Sequence, residues 1–208
     1  MEGSASAPTS AAFELEPPEW QPRAMWVSAR QLCGAAAFFF ISFVFAYFYL
    51  RSLDTNKSWK IGDVNPPVGW GLVIMLVLVV SAIALRLAAT RPELTVSAGA
   101  VAAGLAFLSI VLQVIDWTSL SFGPASGGYA SVFVGWTAFY TVFSLLCVYW
   151  IETQVATAWR RRRTDVSATP AHVTSDVETV RAGLEACSFF WSFYVFNGVV
   201  LFVLLYLL

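Results

Sequence analysis

The chain carries one histidine, His172, and three cysteines, Cys33, Cys147 and Cys187, and these limit the metal and redox chemistry open to it. Haem ligated by two histidines, or copper held by several, needs more imidazole than one residue supplies, so neither centre can be built from this polypeptide alone. His172 also lies in the most polar part of the chain, between Pro170 and Asp176. The cysteines stand far apart, each within an apolar run, without the paired spacing of zinc, iron–sulfur or redox-disulfide sites. They read as small buried hydrophobes.

Acid–base chemistry is equally restricted. Asp, Glu, Lys and Arg make up 12% of the 208 residues and hydrophobic residues 58%, about half the charge of an ordinary soluble domain. A net charge of -1, with no basic face interleaved with aromatics, sets nucleic-acid binding aside.

The elements that position these residues are therefore membrane helices. Five apolar runs, about 29–51, 68–89, 95–115, 130–151 and 184–208, are each long enough to cross a hydrocarbon core, which takes roughly 20 helical residues. The expected fold is an all-α, five-helix integral membrane bundle spanning residues 23–208. Residues 1–22, rich in Ser, Ala, Pro and Glu, read as a disordered tail and not as a cleaved signal peptide. The polar stretch from Thr153 to about Gly183 reads as a long connection.

Nine of the twelve basic residues, Arg23, Arg30, Arg86, Arg91, Arg160 to Arg163 and Arg181, fall on one side of such a bundle. Arg51, Lys57 and Lys60 fall on the other, which predicts N-terminus inside and C-terminus outside. Trp20, Trp26, Trp59, Trp70, Trp117, Tyr129, Trp159 and Tyr206 fall near the expected membrane interfaces, where amphipathic rings are favoured. In the third helix, Gly99 with Ala103 and Ala100 with Gly104 form small-xxx-small pairs that allow close helix approach, predicting an interior position.

With these boundaries the helix interiors hold no charged residue away from their ends, which argues against a proton pump or ion-coupled transporter. A transporter would need a polar lining or broken helices. A stand-alone enzyme would need a buried His, Asp or Glu cluster. Glu185 is expected at the start of the last helix, either stabilising its N-terminus or anchoring a helix–helix or lipid cleft. Arg160, Arg161, Arg162 and Arg163 read as a headgroup-facing cluster that orients the fourth helix and attracts anionic lipid.

Three stretches carry a family resemblance. Phe39-Phe40 followed by Ala46-Tyr47-Phe48-Tyr49-Leu50-Arg51 resembles the "FF…AYFYLR" signature of subunit III of the haem-copper respiratory oxidases. Gln113, Asp116-Trp117 and then Gly128-Tyr129-Ala130-Ser131-Val132-Phe133 is similar to that family's glutamine, acidic-Trp and "YGSVF" pattern. Glu185-Ala186, Phe189-Phe190-Trp191 and Phe193 resembles "EAAAWYWHF" at the same spacing.

The resemblance runs from about residue 25 to the end. It implies a non-catalytic subunit of a bacterial plasma-membrane oxidase, packed beside the haem- and copper-bearing subunit I with subunit II, stabilising the complex and holding phospholipid. It nominates Arg51, Trp117, Glu185, Phe190, Trp191 and Phe193 as lipid or subunit contacts. An accessory subunit of a quinol oxidase or of a nitric-oxide-reductase-like enzyme is the neighbouring reading. Ala36, Tyr140, Phe143, Ser192 and Val195 stand where the family carries polar or charged residues, so family roles in proton uptake do not transfer to those positions.

Overall fold

A computed structural model describes residues 20–55, 58–62, 64–164 and 170–208, though not the side chains of Gln21, Thr164 or residues 170–177. All but the last three residues of the expected tail, as well as Lys57 and the side chain of His172, lie outside that description. The described residues fold into five long helices without strands: α1 (Gln21–Ser52), α2 (Val68–Thr90), α3 (Thr95–Thr118), α4 (Gly128–Thr164) and α5 (Pro170–Phe202). A 3-10 turn, Pro92–Leu94, joins α2 to α3, and a π-helical turn, Val203–Leu207, continues α5. All five helices are long and apolar enough to cross a membrane. The chain is an all-α, multi-pass membrane protein.

The packing follows a shared spacing. Ala29, Cys33, Ala36, Phe40, Phe43 and Tyr47 form the inward stripe of α1, in steps of four and three residues. Gly71, Ile74, Leu78, Ser81, Leu85 and Ala88 do the same in α2, and Gly99, Ala102, Ala106, Ser109, Gln113 and Asp116 in α3. A 3.5-residue repeat keeps one seam facing its neighbours along the whole helix. In α1 five other aromatics, Phe38, Phe39, Phe45, Phe48 and Tyr49, are exposed on the outside of the bundle, as suits lipid contact. The helices pair as α2 with α3, α2 with α5, α3 with α4 and α1 with α5, and α5 also meets α4.

Two boundaries differ from expectation in a way that matters. The polar stretch 153–183 is mostly helix: α4 runs on to Thr164 and α5 begins at Pro170. The stretch from Glu152 to Arg163 has no Gly or Pro and is rich in strong helix formers, while Pro suits the first turn of α5. Ala158 and Leu184 close on Ala89 in a small second core, with Val96 and Val180 packed against it. Low hydropathy there marks the end of lipid contact, not the end of the helix.

The small-residue pairs of α3 divide between two environments. A methyl group at Gly99 would lie 2.6 Å from Val155 Cγ2, so this pair lets α4 approach closely. Ala100 and Gly104 point outward, and nothing lies within 4 Å of a Cβ placed on Gly104. The interior position expected for α3 therefore holds on one side only.

At the end of the bundle away from the arginine cluster, the α1–α2 connection packs on α4. Gly128 N and Tyr129 N donate to Ser58 O (3.2 Å) and Trp59 O (2.9 Å), satisfying two N–H groups that a helix start leaves without partners. Gly127 makes this approach possible: its φ is +116°, and a Cβ there would sit 3.0 Å from Ser58 O.

Candidate functional site

The one buried carboxylate among the described residues lies at that same end. Gln113 and Asp116 sit one turn apart on the inward face of α3, and the π-helical turn after α5 brings Tyr206 to meet them. Asp116 Oδ2 accepts from Tyr206 Oη at 2.7 Å and from Gln113 Nε2 at 3.1 Å. Asp116 is fully buried, and its Oδ1 has no hydrogen-bond partner among the described residues.

Aromatic rings enclose this cluster. Tyr47 of α1 meets Trp59 edge-on at 5.3 Å, Trp59 meets Tyr129, and Phe133 meets Tyr206 at 5.3 Å. Tyr129 Oη donates to Leu205 O, and Lys60 Nζ lies 4.4 Å from the Tyr129 ring centroid. Trp59, Tyr129 and Tyr206 are consequently core residues, and the expected place for them at a lipid interface is corrected. Their spacing relative to charged residues resembles an interfacial belt, yet the loop and the helix ends fold over them.

A second polar layer crosses the middle of the bundle. Trp191 Nε1 donates to Ser81 Oγ at 3.1 Å, and Ser81 Oγ donates to Ala102 O at 2.8 Å, linking α5, α2 and α3. Tyr140 and Tyr194 stack at 4.3 Å; Tyr140 Oη donates to Tyr194 O, and Tyr194 Oη returns a bond to Tyr140 O. Each hydroxyl thus finds an acceptor without leaving the core. Phe143 and Phe190 extend this stack, Ala36 and Val195 are buried beside it, and Ser192 bonds within its own helix to Ser188 O. Four of the five positions that depart from the family pattern are thus occupied by packing side chains.

The residues nominated from sequence do not form one site. Arg51 lies near the Trp59 loop, donating Nη1 to Tyr47 Oη at 3.2 Å, and Trp117 Nε1 donates to Thr137 Oγ1 at 3.0 Å. Phe190, Trp191 and Phe193 belong to the middle layer, with Trp191 1% exposed. Glu185 is deep within α5, not at its start, and is bonded to Arg181 Nε at 2.9 Å. Its expected role at a helix N-terminus is thereby overturned, because α5 starts 15 residues earlier, at Pro170.

Arg161, Arg162 and Arg163 occupy the last turn of α4, with Arg160 just before them. Arg162 Nη2 donates to Pro92 O and Glu93 O, both at 3.1 Å, and Arg163 stacks over Trp159 at 4.2 Å. The chain matches no known family model and no curated protein. Reading its function therefore rests on the three motif stretches and on where the fold puts them.

Asp116 is the residue that sequence reasoning missed as a site. The motif stretch places it with Trp117 at the end of the third helix without giving it a role, and α3 runs to Thr118 and buries it. The signal was present in the three-residue spacing to Gln113, which puts both side chains on one helical face. Glu152 is likewise inside α4 and exposed on its surface. Asp116 stands two residues from the end of α3, within the expectation that charged residues lie only near helix ends, whereas Glu152 and Glu185 lie well inside α4 and α5.

Proposed function

We propose that this chain is subunit III of a haem-copper respiratory oxidase, of cytochrome c oxidase type, with no redox centre of its own. It packs beside subunit I, which with subunit II carries haem and copper, stabilises that complex in a bacterial plasma membrane and binds phospholipid. Its N-terminus is cytoplasmic and its C-terminus outside, in keeping with the nine-to-three bias of basic residues.

The observation that carries this reading is the convergence of the three motif stretches. Phe40 and Tyr47 from the first, Gln113, Asp116, Tyr129 and Phe133 from the second, and Phe190 and Trp191 from the third are all buried in the same core. Residues of a motif shared for packing are expected there. The exposed aromatic faces, among them Phe38, Phe39 and Phe45 on α1, supply apolar surface for lipid or a neighbouring subunit.

The test is purification of the tagged chain from native membranes in a mild detergent, with optical spectra and subunit identification. A haem-bearing subunit recovered in stoichiometric amount supports the assignment. Recovery of the chain with no haem protein, or with stoichiometric haem or copper on the isolated folded chain, overturns it. Cysteines placed singly at Thr55 and Glu178, after removal of the native three, test orientation: Thr55→Cys should be labelled from outside and Glu178→Cys should not.

A further inference from the structure

A recess of about 510 Å³ runs along the outside of the bundle between α3 and α4. Val96, Ala100 and Gly104, one turn apart, make its α3 wall, and a Cβ placed on Gly104 would meet nothing within 4 Å. Buried Val155 forms the floor, where Gly99 lets the two helices close up. Exposed Phe107 and Val111 continue the stripe of Ala100 and Gly104 along α3 in steps of three and four residues. The single charged residue in the lining is Glu152, which is exposed.

The depth of that carboxylate follows from the pairing of the helices. Trp117 bonds to Thr137 and Gly99 meets Val155, so α3 and α4 are antiparallel and Glu152 stands level with Ala102. Ala102 lies seven residues into α3, about 10 Å along its axis. The 24 residues of α3 span about 36 Å, little more than a hydrocarbon core of about 30 Å, so this level falls inside the core. On α4 the Cα–Cβ bond leans toward the helix N-terminus, deeper into the membrane, and Glu lacks the long stem by which Lys and Arg snorkel back. One turn away on α4 are Val148, Tyr149, Val155 and Ala156, and Glu152 has no ion pair among the described residues.

A carboxylate at membrane depth ordinarily faces a bundle interior or an ionic partner, and on an outer face it calls for one. An acyl chain offers it no partner, and an anionic headgroup repels it. A second copy related by an axis along the membrane normal brings the same carboxylate to the same depth, like charge against like. A helix carrying a basic side chain meets both the shape and the charge.

We propose that the α3–α4 groove is the docking site for a transmembrane helix of another protein, which lays its backbone over Ala100 and Gly104 and pairs a Lys or Arg of its own with Glu152. The small side chains let the two backbones approach closely, and the ion pair fixes register and depth. The partner is defined by this chemistry whichever complex it belongs to, so the inference can fail while the oxidase assignment stands, and the reverse.

Photo-crosslinking in native membranes tests it, with p-benzoyl-phenylalanine in place of Phe107 or Trp159, which are exposed at the two ends of the groove. Peptide mapping should find both probes joined to one membrane-spanning segment of another protein, and that segment should contain a Lys or Arg. Glu152→Gln should lower the yield several-fold, as should Gly104→Leu, which fills the groove and leaves the core untouched. Glu152→Lys should abolish the crosslink, and exchanging the partner's basic residue for Glu should restore it. Crosslinks to lipid alone, to a second copy, to this chain's own N-terminal residues or to a segment without a basic residue overturn the proposal. So does an undiminished yield from Glu152→Gln, or a charge exchange that restores nothing. An unchanged melting temperature of the purified Glu152→Gln and Gly104→Leu chains separates lost docking from lost folding, and the charge exchange decides where a single variant folds poorly.

Discussion

Replacing Trp191 by Ala should destabilise the bundle more than any other single truncation in its middle layer. The indole is 1% exposed and stacks on Tyr194 at 5.4 Å. It also donates to Ser81 Oγ, which in turn donates to Ala102 O. Trp→Ala at a packed site costs about 3 to 5 kcal/mol, a range that includes the contribution of the aromatic pair, about 0.5 to 1.5 kcal/mol. The hydrogen bond is the smaller part, because interhelical bonds in membrane proteins average about 0.6 kcal/mol. Ser81 keeps its acceptor when Trp191 is removed, so no buried donor is left unpaired on that side. Ser81→Ala instead leaves the buried Trp191 indole N–H without its acceptor and should cost about 1 to 3 kcal/mol, and the double-mutant cycle should give a coupling of about 0.6 to 1.7 kcal/mol. Reversible unfolding in mixed micelles measures all three variants. A Trp191→Ala chain within about 1 kcal/mol of wild type would refute the claim that the ring is packed. Equal losses from Trp191→Ala and Ser81→Ala would refute the ranking of volume above hydrogen bonding. Under the proposed subunit III assignment, the same loss should appear as a chain that is shed more readily from the oxidase in detergent while oxygen reduction continues at first.

Five further substitutions, two of them controls, probe the other layers. Gly71→Ala places a methyl 2.6 Å from the Tyr206 ring, so the ring must shift and its bond to Asp116 must weaken, lowering stability by about 1 to 3 kcal/mol; Gly104→Ala, facing open space, should leave the melting temperature unchanged. Tyr206→Phe takes away one of the two donors to a buried carboxylate and should cost about 1 to 3 kcal/mol in the same unfolding measurement, with Tyr47→Phe, whose hydroxyl accepts from partly exposed Arg51, costing less. Glu185→Gln breaks only a partly exposed i,i+4 pair with Arg181 and should change stability by less than about 0.5 kcal/mol; a complex that keeps this subunit but loses most of its turnover on that substitution would remove the scaffold assignment.

Much of the fold is legible in the apolar runs, because lipid demands long uninterrupted helices and the chain announces them. The start of α2 and of α3 falls where hydropathy changes, since there the membrane edge and the helix end coincide. In α4 and α5 they do not coincide: Val155, Ala158, Val180 and Leu184 bury a stripe against protein while their helices have lost the apolar outer face that hydropathy detects. The heptad stripes were also available, for example Ala29, Cys33, Ala36 and Phe40, but in α1 they are hidden by aromatics on every side. Asp116 was hidden for a different reason. Its burial depends on Tyr206, 90 residues later, and no local spacing encodes which distant donor folds over a carboxylate. The end of the bundle near the arginines was half visible: the four arginines stand out in sequence, but the packing of Ala158 and Leu184 on Ala89 needs two helices that the polar composition conceals.

The bonds from Gly128 and Tyr129 to Ser58 and Trp59 have a consequence for the timing of synthesis. The acceptors lie 70 residues ahead of the donors in the chain, and at 5–20 residues per second translation takes roughly 4 to 14 seconds to cover that distance. During that interval α2 and α3 are made, while the connection after α1 has already been synthesised. The beginning of α4 thus arrives at a berth laid down before it, with Trp59 ready to receive Tyr129. An error in the 58–59 segment would consequently be felt first in a helix that the ribosome has not yet begun.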